Sequence, residues 1–248
     1  MPGLFVVSDV HGYAADLRRG LVRAGLVDDA DRWVGDDAQL WVLGDLTDRG
    51  PDGIGAVDLV RSLQQQAPGQ VHVLMGNHEA LALGKKLFPG SRFDEIWQIN
   101  GGRREDQEAL TEEHLAWLRS LPVVARVGDF LLMHSDTSSY LEWGSSITEI
   151  NDTVTGLVAE DDVDVHWEVF ASLTSRYDFV GNEGTRVAEE MLRRLGGRVI
   201  VHGHSIIGSL TDVLSAQVEG PIRYADGQVI AIDGGRYDGG PLLVVQLD

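Results

Sequence analysis

The sequence predicts an α/β fold of two packed mixed β-sheets flanked by helices. Three observations predict it. Short apolar runs alternate with helix-period segments through the first half of the chain, the pattern of a parallel sheet with crossover helices. The runs are apolar on both faces, as strands covered on both sides are. The last third carries more short runs at hairpin-like spacing, enough for a second sheet packed on the first.

The elements follow in order. Residues 4–8 read as a buried strand. Residues 13–25 read as a helix, with Ala14, Leu17, Leu21, Val22 and Leu26 on one stripe. A second strand is expected at 39–43. A second helix is expected from 54 to 66, because Ile54, Val57, Val60 and Leu63 recur at helical spacing. Residues 71–75 form the third strand, and helices are expected near 79–87 and 107–119. Further strands are expected at 122–127, 130–133, 198–202, 228–232 and 242–247, with a tight hairpin at Gly128-Asp129. A last helix spans 184–196. Residues 136–166 are Ser/Thr-rich and then acidic. With the residues up to 183 they read as an irregular cap inserted in a single domain of residues 1–248.

Composition narrows the function classes. The formal net charge is −19. A uniformly acidic surface repels nucleic acid and anionic membrane, so neither is an expected partner. There is no cysteine, which excludes disulfides and thiolate metal sites. No apolar run reaches the ~18 residues of a membrane span. The opening "MPGLFVVSDVHG" lacks the basic stretch of a signal peptide, and a cytoplasmic location is the simplest expectation. The oligomeric state stays open.

Polar residues cluster where strands end. The first strand runs into "SDVHG", with Asp9 and His11. The second runs into "GDLTDRG", with Asp45, Asp48 and Arg49. The third runs into "GNHE", with Asn77, His78 and Glu79. Two later runs end in His134 and in His202-Gly203-His204. Ligands of open parallel sheets bind at the carboxyl ends of the strands. Each cluster alone is ordinary turn or cap chemistry. Recurrence at five strand ends is not. The donor set Asp9, His11, Asp45, Asn77, His134 and His204 offers only oxygen and nitrogen, which suits Mn, Fe or Zn. Six donors exceed what one catalytic ion with open positions needs. They suit two ions sharing a bridging carboxylate.

In this order, "SDVHG", "GDLTDRG", "GNHE", a lone histidine after a strand and "GHS" resemble the calcineurin-like metallophosphoesterases. The "DRG" narrows the likeness to the phosphoprotein phosphatase branch, which includes bacterial and phage serine/threonine phosphatases and symmetrical diadenosine tetraphosphatases. "LRSLPVVARVGDFLLMH", "NGG" at 100–102 and "IDGGRYDGGPLLVV" extend the resemblance over nearly the whole chain. It implies a four-layer αββα sandwich and two divalent ions, Mn first, with Fe or Zn as alternatives. Asp9 and His11 would hold one ion, Asp45 would bridge, and Asn77, His134 and His204 would hold the other. His78 would be the general acid, oriented by Asp48, which would also raise its pKa. Arg49 would bind phosphate. "LTSRYDF" lacks the tryptophan usual before the branch's second phosphate arginine, and on that weaker match Arg176 takes this role. Ile206 stands where broader relatives have a further histidine, Ser135-Asp136 departs from the usual small residues, and His202 is left without a role. His72, His114 and His166 are read as ordinary core or surface histidines.

The implied activity is direct hydrolysis of phosphomonoesters, with a phosphoprotein or small phosphoester as partner. Hydroxide held between the ions would attack phosphorus. One alternative is a symmetrical dinucleoside tetraphosphate hydrolase, with substrate walls at 87–106, which carries Arg92, and at the 136–183 cap; Arg103 and Arg104 then either grip extra phosphates or stand as a solvated surface pair. Another is an inactive module that binds phosphorylated partners.

Overall fold

Alternation of side-chain direction along each strand explains the layering. The computed structural model describes residues 3–248. Its first half contains β1 (Leu4–Val7), α1 (Ala14–Arg23), β2 (Gln39–Val42), α2 (Gly53–Gln66), β3 (Val71–Val73), α3 (Asn77–Leu87), α4 (Arg92–Ile99), α5 (Arg104–Ala109) and α6 (Glu112–Arg119). The second half contains β4 (Val124–Val127), β5 (Phe130–Met133), α7 (Ile147–Leu157), α8 (Val163–Thr174), α9 (Gly184–Leu195), β6 (Val199–His202), α10 (Ile207–Thr211), β7 (Ile222–Tyr224), β8 (Val229–Ala231) and β9 (Val244–Leu247).

One sheet has the order β3-β2-β1-β9, the other β4-β5-β6-β8-β7. β1, β2 and β3 run parallel and β9 closes their edge antiparallel. β5, β6 and β8 run parallel, between antiparallel β4 and β7. Val6 of β1, Leu132 of β5, Val201 of β6 and Ile230 of β8 pack together between the sheets. Their chain neighbours Val7, Leu131 and Ile200 turn to the outer core, where α1 supplies Leu17 and Leu21, and α2 supplies Val57 and Val60. Successive residues facing opposite sides thus build helix, sheet, sheet and helix layers from one short run each. Truncating such a packed residue, Leu132→Ala for example, costs about 2–5 kcal/mol.

The expected strands are present, and the Gly128 turn, with φ 56°, joins β4 to β5. The structure also departs from expectation in several places. Residues 136–183 are not irregular: they hold α7 and α8, started by Ser146 and Asp162 side chains that accept backbone N–H groups. β-branched residues, Asp and Asn in α7 disguise it, and α8 packs on α3 to form part of the core. The helix expected at 107–119 is two, because Thr111 caps a new start by accepting from His114 N. α4 and β7 were not expected. β7 is only three residues long with an exposed arginine in the middle. Among the described residues no helix is long and apolar enough to cross a membrane.

Candidate metal centre

The parallel strands of both sheets deliver their carboxyl ends to one crevice. The loops after β1 and β2 stay zipped beyond the strands: His11 N donates to Asp45 O at 2.8 Å and Gly12 N to Leu46 O at 2.8 Å. Gly203 N donates to His134 O at 2.8 Å, joining the ends of β5 and β6. Two bonds then cross between the sheets. His134 Nδ1 lies 2.8 Å from Leu43 O, and His204 N donates to Asp9 Oδ2 at 2.8 Å.

The backbone bends sharply to do this. Asp9, His11, Asp45, Asp48, Arg49 and His204 all have φ between 44° and 69°. These six are half of the twelve non-glycine residues with positive φ among the described residues. Left-handed backbone at a residue with a side chain costs of order 1–2 kcal/mol. Its concentration here aims side chains inward where a relaxed strand would carry them past. Glu79 helps hold the bend. Its buried carboxylate accepts from Asp45 N (2.7 Å), Leu46 N (2.8 Å) and Gly76 N (2.8 Å), clasping the loops after β2 and β3. Sequence reading gave Glu79 only a favourable place near a helix start. Its long-range amides are visible only in the fold.

The predicted donors converge. Asp9, Asp45, His134 and His204 present ligand atoms within 4.8 Å of one another, and His11, Asp45 and His78 form a second such group. Asp45 belongs to both. Asp9 Oδ1 also lies 3.7 Å from His11 Nε2, so Asp9 faces both groups. Asn77 Oδ1 is 2.9 Å from His134 Nε2. All six predicted donors are buried.

The donor set fits divalent cations. His11 Nε2 to Asp45 Oδ2 is 3.5 Å and His134 Nε2 to Asp45 Oδ1 is 3.4 Å. Two ligands each about 2.1 Å from one ion, at about 110°, stand roughly 3.4 Å apart. The outer nitrogens are engaged as in metal-binding histidines. His11 Nδ1 faces Thr47 O at 3.1 Å, His134 Nδ1 faces Leu43 O, and His204 Nε2 faces Thr174 O at 2.9 Å. A ring that donates one N–H to a carbonyl keeps a lone pair on the other nitrogen. The His134 lone pair then meets the Asn77 carbonyl oxygen, two acceptors that a shared cation reconciles. Burial holds His11 and His204 well below the usual histidine range, leaving them neutral. Burial, and then the charge of Asp9, push Asp45 well above the usual carboxylate range. The pocket thus crowds acid groups whose ionisation needs a compensating cation beside neutral nitrogens.

Beside these donors, His78 Nδ1 lies 2.7 Å from Asp48 Oδ2. Asp48 Oδ1 accepts from Trp97 Nε1 at 3.1 Å and Arg103 N at 3.3 Å. Asp48 does not raise the His78 pKa as expected. Burial pushes Asp48 itself up to about 7, while burial and then Arg49 hold His78 well below its usual range. Desolvation outweighs the pairing for both partners. Arg49 donates to His11 Nε2 (3.0 Å) and His78 Nε2 (3.3 Å), and its own N–H reaches Gly101 O at 2.8 Å. Its guanidinium lies 3.8 Å over the ring of Tyr237, a contact absent from the sequence reading. Arg176 is exposed just beyond α8, and its charge is felt at His78 and His204.

Other polar residues fall away from the centre. Arg92 pairs with Asp164 at 2.6 Å and Arg104 with Glu108 at 2.6 Å, while Arg103 reaches Glu105 at 3.4 Å. His72 stacks on Trp41, His114 bonds Asp58 at 2.9 Å, and His166 bonds Glu160 O at 3.0 Å. His202 is buried behind the site, 2.7 Å from Tyr224 Oη. Asp136 accepts from Ser205 Oγ at 2.5 Å and Tyr177 N at 3.0 Å, tying α8's exit to the end of β6. Two hollows of about 560 Å³ lie along α1 and share no residue with this cluster. Donor chemistry, not hollow size, marks the site.

Comparison with known proteins agrees with this geometry. Residues 4–208 match the family described as calcineurin-like phosphoesterase. A symmetrical bis(5'-nucleosyl)-tetraphosphatase of Aromatoleum aromaticum is 29% identical over 138 residues, covering 53% of this chain and 43% of that protein. Shewanella-like protein phosphatase 2 of Arabidopsis thaliana is 31% identical over 81 residues, covering 32% of this chain and 21% of that protein. The matched stretches thus span less than half of these relatives. Among solved structures, the cold-active protein-tyrosine phosphatase of a psychrophilic Shewanella superposes over 100% of this chain and 76% of its own, with a TM-score of 0.75 and 23% identity. That likeness establishes the two-sheet fold.

Proposed function

The chain belongs to the calcineurin-like phosphoesterase family, and from that premise we propose that it is a phosphatase that hydrolyses phosphomonoesters with two divalent cations. The observation that carries this reading is the convergence of six buried oxygen and nitrogen donors beside a His78–Asp48 pair and Arg49. Asp9, His11 and Asp45 would hold one cation, and Asp45, Asn77, His134 and His204 the other, with manganese the first candidate. When bound, the ions supply Lewis-acid polarisation of the phosphoryl group and make a water acidic enough to act as nucleophile at neutral pH.

The chain's own residues do the rest. Arg49, anchored through Gly101 O and the Tyr237 ring, orients the phosphate and balances charge on its oxygens. Arg176 approaches from the α8 side. His78 Nε2 faces the crevice beside Arg49 and would protonate the leaving oxygen in the form of the His78–Asp48 pair that carries its second proton, with Arg49 turned to the phosphate. Asp48 fixes the ring by accepting a hydrogen bond from Nδ1 at 2.7 Å. Trp97 and Arg103 N hold Asp48 in turn. Asp48 sits at about 7, so the pair gains and loses its second proton in the neutral range.

A second reading has specific support: relatives named as symmetrical tetraphosphatases match half of the chain. Against it stand Arg92 and Arg104, whose side chains pair with Asp164 and Glu108; Arg103, whose backbone N binds Asp48, stays next to the crevice. A substrate panel with manganese-loaded protein decides. Turnover of p-nitrophenyl phosphate and a phosphopeptide, with diadenosine tetraphosphate left intact, is expected. Release of two nucleoside diphosphates as the dominant reaction supports the second reading. No turnover of any substrate leaves a phosphate-binding module.

A further inference from the structure

Six strand ends meet at the crevice, not five. β8 continues through Ile232 into Asp233. The parallel register pairs His202 with Ala231, and Ile232 N donates to His202 O at 2.9 Å. Asp233 lies two residues beyond Ala231 as His204 lies two beyond His202, and the His204 N–H binds Asp9 Oδ2. Ile207 N closes on Asp233 O at 2.9 Å and fixes the segment. The sequence hid this end because "IDGG" reads as a glycine turn.

Asp233 is 2% exposed. Its Oδ1 accepts from Gly235 N at 2.8 Å, and its Oδ2 is buried without a hydrogen-bond partner. The neighbouring acids are otherwise accounted for. Glu79 spends both oxygens on backbone amides, and Asp48 spends both on His78, Trp97 and Arg103. Asp9 gives Oδ2 to Ser8 and His204, and Asp45 gives Oδ1 to His78 N. A buried carboxylate oxygen with no donor is costly unless positive charge reaches it. After burial, the strongest influence on Asp233 is the like charge of Asp9, with Asp45 acting the same way and Arg49 opposing.

We propose that Asp233 is a third carboxylate of the cation site, a positioning residue whose free oxygen raises this chain's affinity for divalent cations. The proposal rests on the metal-centre reading. Asp233 is outside the groups whose ligand atoms lie within 4.8 Å of one another. Its action is therefore on the charge and water shell around the ions, in addition to the six direct donors. Outer partners of this kind shift metal affinity by about 10–100-fold.

The test is calorimetric titration of manganese into metal-stripped wild type and Asp233→Asn, with the melting temperature of each metal-free protein measured alongside. The asparagine keeps an acceptor for Gly235 N–H and removes the charge. The expected result is manganese affinity weakened about 10–100-fold, together with a metal-free variant that melts above metal-free wild type. Asp233→Ser also keeps an acceptor, and gives the same loss should the asparagine variant fail to fold. Equal manganese affinity in wild type and variant overturns the proposal while leaving the metal centre intact. A metal-free variant that melts below wild type also overturns it, by marking Asp233 as structural. Wild type that binds no manganese sinks the metal centre and the proposal together.

Discussion

The carboxylates of the helix surfaces and those of the crevice are the same chemical groups under opposite conditions. On α9, Glu190 meets Arg193 at 2.6 Å and Arg194 at 2.5 Å, and hydrogen bonds from these two arginines bring it down to about 2. Arg18, Arg32, Arg92, Arg104 and Arg186 likewise each reach an acid. In the crevice, Asp45 and Asp233 are buried and pushed well above their usual range, with Arg49 opposing the shift only weakly. Surface charge is neutralised locally and contributes little. The crevice is left short of positive charge where its geometry is most constrained. A protein of net charge −19 can therefore still present a cationic centre to phosphate once dications bind.

The sharpest way to break this contrast is Asp45→Asn. It removes the carboxylate common to both donor groups, and activity should fall by at least about 10³-fold, with weakened manganese binding by titration. Near-normal turnover would mean that Asp45 bridges nothing. Next in size is His78→Asn, which should slow turnover by about 10²–10⁴-fold while manganese binding is retained. The loss should be largest for alkyl phosphates with poor leaving groups. Equal loss for aryl and alkyl phosphates would remove His78 from the proton-transfer role.

A subtler effect concerns pH. Folded Asp48 sits at about 7, above the ordinary ~3.9 of an unfolded aspartate. The native state then binds the extra proton, so the contribution of Asp48 to stability is full below about pH 4 and is lost as pH rises through about 7. Comparison with Asp48→Asn isolates this from the histidines, whose lowered pKa values act in the other direction. The metal-free variant should gain on metal-free wild type, in melting temperature, as pH rises from about 4 to 7. A constant difference across that window would show that burial does not perturb Asp48. The smallest effect belongs to the surface. Glu190→Gln should leave turnover within about twofold of wild type, and a larger loss would show that α9 communicates with the crevice.

The strand ends were legible because buried parallel strands are short apolar runs, and a run that stops at Asp9, Asn77 or His134 announces the change. What stayed hidden depended on distant partners. Glu79 looked like a helix-start acid until its amide donors came from another loop. Tyr237 has no local pattern that places it over Arg49. Asp233 ended a run that was recognised, but nothing local set its carboxylate apart from an ordinary loop acid. α7 was masked by Thr, Asn and Asp, which favour other conformations in isolation and are overruled by packing of Ile150 and Val154. The left-handed backbone at Asp9, His11, Asp45, Asp48, Arg49 and His204 was foreshadowed only by the glycines beside some of them. Side chains at positive φ depend on the surrounding framework.

One measurement reaches the centre of the account: the anomalous scattering of a crystal grown with manganese. Two peaks flanking Asp45, one toward His11 and one toward His134 and His204, are predicted. A single peak away from Asp45, or Asp9 and His204 turned toward separate pockets, would contradict it.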